Sequence, residues 1–103
     1  MTLPELTEDQ RTEALQKAAE ARRLRAETKR KLKAGETSVS ELLERAETDD
    51  ALAKMRVREM LESLPRIGPL RAEELMKEHK VAASRRVRGL GRHQREALVK
   101  RFG

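Results

Sequence analysis

The segment with the most specific spacing for ligand chemistry is 64–72, Leu-Pro-Arg-Ile-Gly-Pro-Leu-Arg-Ala. Pro65 pushes the residue before it out of the helical region, and Pro69 suits the first position of a helix, so two helices joined by a hairpin are predicted. Gly68 can take a positive φ there, and the first N–H groups of the second helix favour a phosphate oxygen. The alternative is an ordinary helical connection that binds no ligand. The candidate residues are Pro65, Arg66, Ile67, Gly68, Pro69, Leu70 and Arg71.

A second group of candidate residues lies in the basic turn 84–92, Ser-Arg-Arg-Val-Arg-Gly-Leu-Gly-Arg. Val87 and Leu90 are three apart, so both can face inward on a short helical turn and direct the arginines outward. A guanidinium donates to two acceptors at once and suits a narrow, strongly negative minor groove. The turn therefore predicts contact with a phosphate backbone or minor groove, with a solvated basic loop as the alternative. Its candidate residues are Arg85, Arg86 and Arg88.

The third group is the basic stretch 22–33, which holds seven basic residues in twelve positions against Glu27 alone. Positive charge around most of a helix surface favours electrostatic capture of phosphate, although exposed helices are commonly charged. Helical arms of this Arg/Ala-rich type can also be disordered until they bind. The candidate residues are Arg22, Arg23, Arg25, Lys29 and Arg30.

The distribution of charge supports a polyanionic partner. The net charge is +6, yet residues 1–50 carry 10 basic and 12 acidic side chains, whereas residues 51–103 carry 14 and 6. From Lys80 onward there are eight Lys or Arg side chains and one acid. A local field of that sign concentrates polyanions and speeds their encounter, so nucleic acid is the predicted partner.

Residue types that catalysis and metal binding require are scarce. The chain has no cysteine, and His79 and His93 lie fourteen apart with no carboxylate at ligand spacing. It has no Gly-rich phosphate loop followed by Lys-Ser/Thr, and no apolar run near the ~20 residues that cross a bilayer. We therefore expect no enzyme, no metal, no cofactor and no membrane contact, and a soluble protein in the cytoplasm.

Capping motifs and helix breakers predict an all-α fold. Thr7 and Gln10 form a capping box, Gly35 ends the long helix that follows, and Ser38 with Glu41 forms a second capping box. No strand pattern is present. The predicted helices cover 8 to about 33, 38–46, 52–64 with a bend near residue 55, 69 to about 80, and about 92–102.

A chain with 41% charged residues has material for a small core only. Leu15, Leu24 and Leu32 are too few to bury the whole long helix, so it is interpreted as a largely solvated arm. We predict an N-terminal extension and long basic helix at 1–37 and a helical DNA-binding domain at 38–103. The predicted core consists of Leu64, Ile67, Leu75, Met76, Val87, Leu90, Leu98 and Phe102.

Several of these motifs together resemble the actinobacterial integration host factor family, a single-chain group unrelated to the heterodimeric proteins of the same name. The resemblance is carried by Leu-Glu-Ser-Leu-Pro-Arg-Ile-Gly at 61–68 and Ser-Arg-Arg-Val-Arg-Gly-Leu-Gly at 84–91. Leu-Pro-Glu-Leu-Thr at 3–7, the Ala/Arg-rich helix and the final Arg-Phe-Gly extend it over nearly the whole chain.

That resemblance implies a long N-terminal helix followed by a compact helix-two-turn-helix domain with a helix-hairpin-helix-like turn. It implies a nucleoid-associated protein that binds duplex DNA with little sequence preference, influences DNA topology and compaction, and assists site-specific integration. It places the hairpin and Arg85, Arg86 and Arg88 on DNA. Family members often have a small residue after the proline, where this chain has Arg66. That side chain is expected either to add a phosphate contact or to point to solvent.

The predicted partner is double-stranded DNA, with integrase-type recombination complexes as a further implied partner and a monomer expected in solution. An RNA-binding, ribosome-associated helix-two-turn-helix protein is the alternative, because the same hairpin can hold an RNA phosphate. A repair glycosylase needs a larger catalytic domain than 103 residues allow. A helical adaptor for protein partners predicts no affinity for nucleic acid.

Overall fold

A computed structural model describes residues 7–103, and these residues are helical with short connections. The helices are α1 (Glu8–Ala34), α2 (Val39–Ala46), α3 (Asp50–Ala53), α4 (Val57–Glu62), α5 (Pro69–Glu78) and α6 (Arg92–Phe102), with a 3-10 turn at Val87–Gly89 before α6. The predicted all-α class is confirmed, while the 3–6 part of the N-terminal motif lies outside the described residues. Within residues 7–103, no helix combines the length and the apolar composition that crossing a membrane requires.

Both ends of α1 follow from local capping. The Thr7 hydroxyl accepts from the Gln10 N–H at 3.1 Å, and the Gln10 side chain accepts from the Thr7 N–H at 2.9 Å. Gly35 takes a left-handed conformation with φ 74°, and its N–H donates to the Leu32 carbonyl. This conformation favours glycine because it lacks a Cβ, so the capping box and the glycine stop are confirmed.

The two halves of α1 differ in burial. Leu15 is 70% exposed, as a solvated arm predicts, whereas Thr28 and Leu32 are each 1% exposed. The Thr28 hydroxyl donates to the Leu24 carbonyl at 2.8 Å, so its burial leaves no polar group unpaired. Burial of a leucine such as Leu32 contributes about 2 kcal/mol. The prediction of a largely solvated helix is therefore wrong for the last two turns, which join the core.

Short helices α2 and α3 begin at capped residues. Ser38 accepts from the Glu41 N–H at 3.1 Å, and Asp49 accepts from the Ala51 N–H at 3.1 Å. The second capping box is only half present, because the Glu41 carboxylate accepts from the Thr37 hydroxyl at 2.9 Å instead of from the Ser38 N–H. One side-chain cap is enough to start each helix.

The segment predicted as one bent helix is two helices, separated at 54–56. The backbone leaves the helical path there because it pairs with a distant segment. The Val57 N–H donates to the Arg85 carbonyl at 3.0 Å, and the Val87 N–H donates to the Met55 carbonyl at 2.8 Å. These bonds make Arg56 and Arg86 an isolated antiparallel bridge. A tertiary contact therefore overrides the helical preference of the chain.

The core is larger than predicted. Of the predicted residues, Leu64, Leu75, Met76, Val87, Leu90 and Leu98 are buried, while Ile67 and Phe102 pack against the core half-buried. Helices α2 to α4 contribute most of the rest, since α2 packs on α3 and α6, and α4 packs on α5. The additional large core residues are Leu32, Val39, Leu42, Leu43, Leu52, Met55, Val57, Met60, Leu61 and Val81.

Candidate nucleic-acid interface

The hairpin between α4 and α5 has the predicted start and end. The Ile67 N–H donates to the Leu64 carbonyl at 3.2 Å, which closes the turn after Pro65. Gly68 is the N-cap of α5 and Pro69 its first residue. Ile67 packs against the core, so it fixes the hairpin on the rest of the molecule. The two prolines therefore set where one helix ends and the next begins.

The expected positive φ at Gly68 is wrong. Gly68 has φ −93° and ψ −177°, an extended conformation that a helix N-cap normally takes, and the left-handed residue is Arg66 with φ 66°. The chain reverses directly after Pro65, so the positive φ falls there. Apart from its two chain neighbours, a Cβ on Gly68 would meet no atom of residues 7–103 within 4 Å. The glycine therefore leaves open space in front of α5, and the fold itself does not require it.

The first turn of α5 presents N–H groups to that open space. Among the described residues, the N–H groups of Gly68, Leu70 and Arg71 donate to no backbone or side-chain acceptor, and the first backbone bond of the helix runs from Ala72 to the Gly68 carbonyl at 2.9 Å. Leu70 is 78% exposed, so this end faces solvent. Unpaired N–H groups and the helix dipole together favour an anion at this end.

The charge of Arg71 is engaged within α5. Its guanidinium donates to Glu74 at 3.1 Å and to Glu78 at 3.4 Å. A hydrogen bond from Arg101 lowers the pKa of Glu78 below its ordinary value, and the Arg71 charge adds to this effect. Because Glu74 and Glu78 both accept from the Arg71 guanidinium, Arg71 offers a ligand its backbone N–H group more readily than its side-chain charge.

Of the three candidate arginines of the basic turn, two bind backbone carbonyls. Val87 and Leu90 are buried as predicted. The Arg85 guanidinium donates to the Gly89 carbonyl and the Arg86 guanidinium to the Lys54 carbonyl, both at 2.6 Å. Arg86 and Arg88 are exposed, whereas Arg85 is half-buried, so the predicted outward orientation is wrong for Arg85.

The position of Arg85 accounts for Gly89. A Cβ on Gly89 would lie 3.0 Å from the Arg85 Cδ, so any larger residue would displace the arginine from the carbonyl that it binds. Arg85 therefore stabilises the 3-10 turn. Arg88 has no hydrogen-bond partner among the described residues and is the cation of this turn most available to a ligand.

The antiparallel bridge adds two basic residues that sequence reasoning missed. Lys54 and Arg56 lie beside Arg86, because the bridge joins Arg56 to Arg86 and the Arg86 side chain reaches the Lys54 carbonyl. The polar and apolar residues alternate over 54–57, Lys-Met-Arg-Val, as in a strand. That run is too short to predict pairing with a segment about thirty residues away.

The candidate residues of α1 divide into free and engaged cations. Arg22 and Arg23 are exposed and have no partner among residues 7–103. Arg25 donates to the Ala51 carbonyl at 3.4 Å, and Arg30 forms ion pairs with Glu27 and Glu36, each at 2.9 Å. The hydrogen bond from Arg30 lowers the pKa of Glu27 below its ordinary value.

Lys29 and Lys33 line a groove of about 460 Å³ between α1 and α4. Lys33 donates to the Glu62 carbonyl at 3.4 Å, two residues before the hairpin begins at Leu64. The C-terminal end of α1 therefore brings positive charge next to the hairpin. Arg22 and Arg23 lie two to three helical turns further from it along α1.

Comparison with known proteins identifies the family. The family model described as S13-like H2TH domain matches residues 32–102. Proteins named integration host factor from Mycobacterium tuberculosis and Streptomyces coelicolor are 52% and 47% identical over 100% of this chain, covering 98% and 96% of their own lengths. The chain belongs to the integration host factor family. The Mycolicibacterium smegmatis integration host factor is 52% identical over 99% of this chain and 97% of its own.

A solved structure described as sIHF bound to an 8-bp palindromic DNA has the same fold. It matches with a TM-score of 0.83 and 44% identity, over 85% of this chain and 99% of that one. The resemblance to the integration host factor family is thereby confirmed. The expected architecture, a long N-terminal helix leading into a helix-two-turn-helix domain, is confirmed as well.

Proposed function

We propose that the protein binds duplex DNA through the phosphate backbone, without catalysis and without a cofactor. The observation that carries the proposal is the open N-terminal end of α5, where the N–H groups of Gly68, Leu70 and Arg71 lack acceptors within the described residues. A phosphate oxygen is the acceptor that such an end favours. The DNA-bound structure of sIHF, which shares this fold, supports the choice of duplex DNA.

The basic turn supplies the second contact in this proposal. Helix α4 leads from the bridge at Arg56 to the hairpin and has six residues, a rise of roughly 9 Å at 1.5 Å per residue. Base pairs are 3.4 Å apart along the duplex axis, so this length corresponds to about three base pairs. The hairpin and the exposed Arg86 and Arg88 can then contact one short stretch of duplex, at the backbone or the minor groove.

Helix α1 extends the contact along the duplex. Arg22, Arg23 and Lys29 supply charge to a neighbouring phosphate stretch, while Arg25 and Arg30 release part of their internal contacts to join them. The division into an extension at 1–37 and a DNA-binding domain at 38–103 stays a prediction in this proposal. Within it, Thr28 and Leu32 attach the extension to the domain.

Phosphate contacts carry no sequence information, so the proposed affinity is broad. Binding of this kind suits a nucleoid-associated protein in the cytoplasm that influences DNA topology and compaction. The family name further suggests assistance to site-specific integration, with integrase-type recombination complexes as partners and this protein acting as a monomer.

Titration of short duplexes of unrelated sequence at several salt concentrations tests the proposal. If about five phosphates are neutralised, the logarithm of the association constant falls against log salt concentration with a slope of roughly −4.5, at about −0.9 per phosphate. Similar affinities for all sequences are expected. A slope near zero would contradict the electrostatic mechanism. Competition with structured RNA of equal length distinguishes this proposal from the RNA-binding alternative, since an RNA-binding protein would release the duplex in favour of the RNA.

A further inference from the structure

Two arginines lie side by side where the α3–α4 connection meets the basic turn. Arg56 and Arg86 form an antiparallel bridge whose two hydrogen bonds are made by the flanking residues. The two arginines are therefore a non-hydrogen-bonded pair, in which the Cα atoms are about 4.5 Å apart and the side chains leave the backbone on the same side.

This pair carries like charges and has no ion-pair partner among the residues that the structure describes. Like charges directly opposite in such a pair are destabilising. The two cations that flank Arg56 are paired, Lys54 with Asp50 at 2.9 Å and Arg58 with Glu62 at 2.8 Å. The Arg56 side chain has no hydrogen-bond or ion-pair partner among residues 7–103, and Arg86 has only the Lys54 carbonyl. The fold thus holds two exposed arginines directly opposite each other at an electrostatic cost.

We propose that Arg56 and Arg86 together bind one phosphate group of the DNA backbone, as an anion site distinct from the hairpin. A backbone phosphate has two non-bridging oxygens, and each guanidinium can donate to one of them. The bond from the Arg86 Nη1 to the Lys54 carbonyl orients that guanidinium and leaves its other N–H groups for the phosphate. Bound phosphate removes the repulsion between the two arginines. The electrostatic free energy that this repulsion costs the free protein is therefore recovered on binding.

Arg56 belongs to none of the three segments that sequence motifs single out. Arg85 acts in this site only by positioning. Its carbonyl accepts from the Val57 N–H, and its guanidinium holds the Gly89 carbonyl. Both contacts keep the bridge in register. This assignment rests on the proposed binding of duplex DNA.

The test compares Arg56→Gln with Arg58→Gln, which removes the same charge at another exposed position two residues later, in the first turn of α4. Duplex affinity and its salt dependence are measured by fluorescence anisotropy, with circular dichroism to check the fold. Arg56→Gln is expected to weaken binding about tenfold and to reduce the salt slope by about one, whereas Arg58→Gln changes affinity less than twofold. Arg56→Lys should recover the slope but only part of the affinity, since lysine lacks the guanidinium fork.

A double-mutant cycle adds a test of the shared phosphate. If both arginines hold one group, Arg56→Gln with Arg86→Gln loses less than the product of the two single losses. Wild-type affinity and slope in Arg56→Gln, or a loss equal to that of Arg58→Gln, would overturn the site while leaving the proposed function intact. Failure of the wild-type protein to bind duplex DNA would overturn both.

Discussion

The hairpin and the basic turn offer a phosphate different chemical groups. The hairpin presents backbone N–H groups at the start of α5, and the charge of Arg71 beside them is held by Glu74 and Glu78. The basic turn presents guanidinium groups, and its backbone is occupied by the bridge and the 3-10 turn. Both suit the same ligand, but one depends on space and helix geometry and the other on charge.

This difference shows how each contact can be lost. Proline is the one substitution that removes a backbone N–H, so other substitutions weaken the hairpin by filling the space in front of it or by reversing its electrostatic potential. A guanidinium can be removed one at a time, and each loss reduces the number of counterions that binding releases. Substitutions in the two regions should therefore distinguish contacts made by backbone N–H groups from contacts made by guanidinium groups.

Gly68→Asp should have the largest effect. It places a carboxylate in the space where the phosphate binds, so affinity for duplex DNA should fall about a hundredfold, roughly 3 kcal/mol. The fold should be kept, because a Cβ at this position meets nothing and aspartate is a good N-cap for α5. Anisotropy titration and thermal unfolding measure the two effects.

Thr48→Asp is the matched control for Gly68→Asp, since it adds the same charge at an exposed residue in the turn between α2 and α3. Equal affinity of the two variants would show that the hairpin does not contact the phosphate.

Arg88→Gln should come next, with a loss of about tenfold and a salt slope smaller by about one, because one exposed cation is removed. Its stability should stay at the wild-type level.

Arg85→Gln should instead keep the affinity for DNA and lose stability, since Arg85 binds the Gly89 carbonyl. Loss of that bond should cost about 1 kcal/mol of stability and lower the melting temperature by roughly 4–8 °C. Identical profiles for the two variants would contradict the division between contact and positioning.

Arg66→Gly should have the smallest effect on DNA binding. It bears on both kinds of contact, because Arg66 is a charged side chain within the hairpin. A glycine relieves the left-handed conformation at φ 66°, so stability should rise by up to about 1 kcal/mol. Loss of the side chain should weaken DNA binding a few-fold if it contacts phosphate. Arg66→Asn is the companion variant, because asparagine tolerates this conformation but carries no charge. Unchanged affinity in both would mean that Arg66 points to solvent.

Much of the fold could be predicted from short-range patterns. Pro65 and Pro69 bracket the hairpin, Thr7 caps α1 and Gly35 ends it, because caps and breakers act within about one helical turn. The burial of Val87 and Leu90 followed from their spacing alone. The family could also be recognised, since its motifs are short and contiguous.

Other parts of the candidate site could not be predicted, because they depend on segments far apart in the chain. The helix predicted over 52–64 breaks at Met55, where the backbone pairs with residues 85–87, and this pairing brings Arg56 to Arg86. No pattern local to either segment indicates the other. The positive φ lies at Arg66 and not at Gly68, because the direction of the whole α4–α5 connection decides where the chain must reverse.

The sequence by itself determined most of the helix boundaries and caps, the hairpin and the excess of positive charge in the second half of the chain. Only the tertiary structure decided which cations are available to a ligand. Arg71 and Arg30 are engaged by carboxylates and Arg85 by a carbonyl, whereas Arg88 and Arg56 have no such partner among the described residues. Helix boundaries arise from contacts within four or five residues, but the state of a long charged side chain depends on whichever distant groups the fold places beside it.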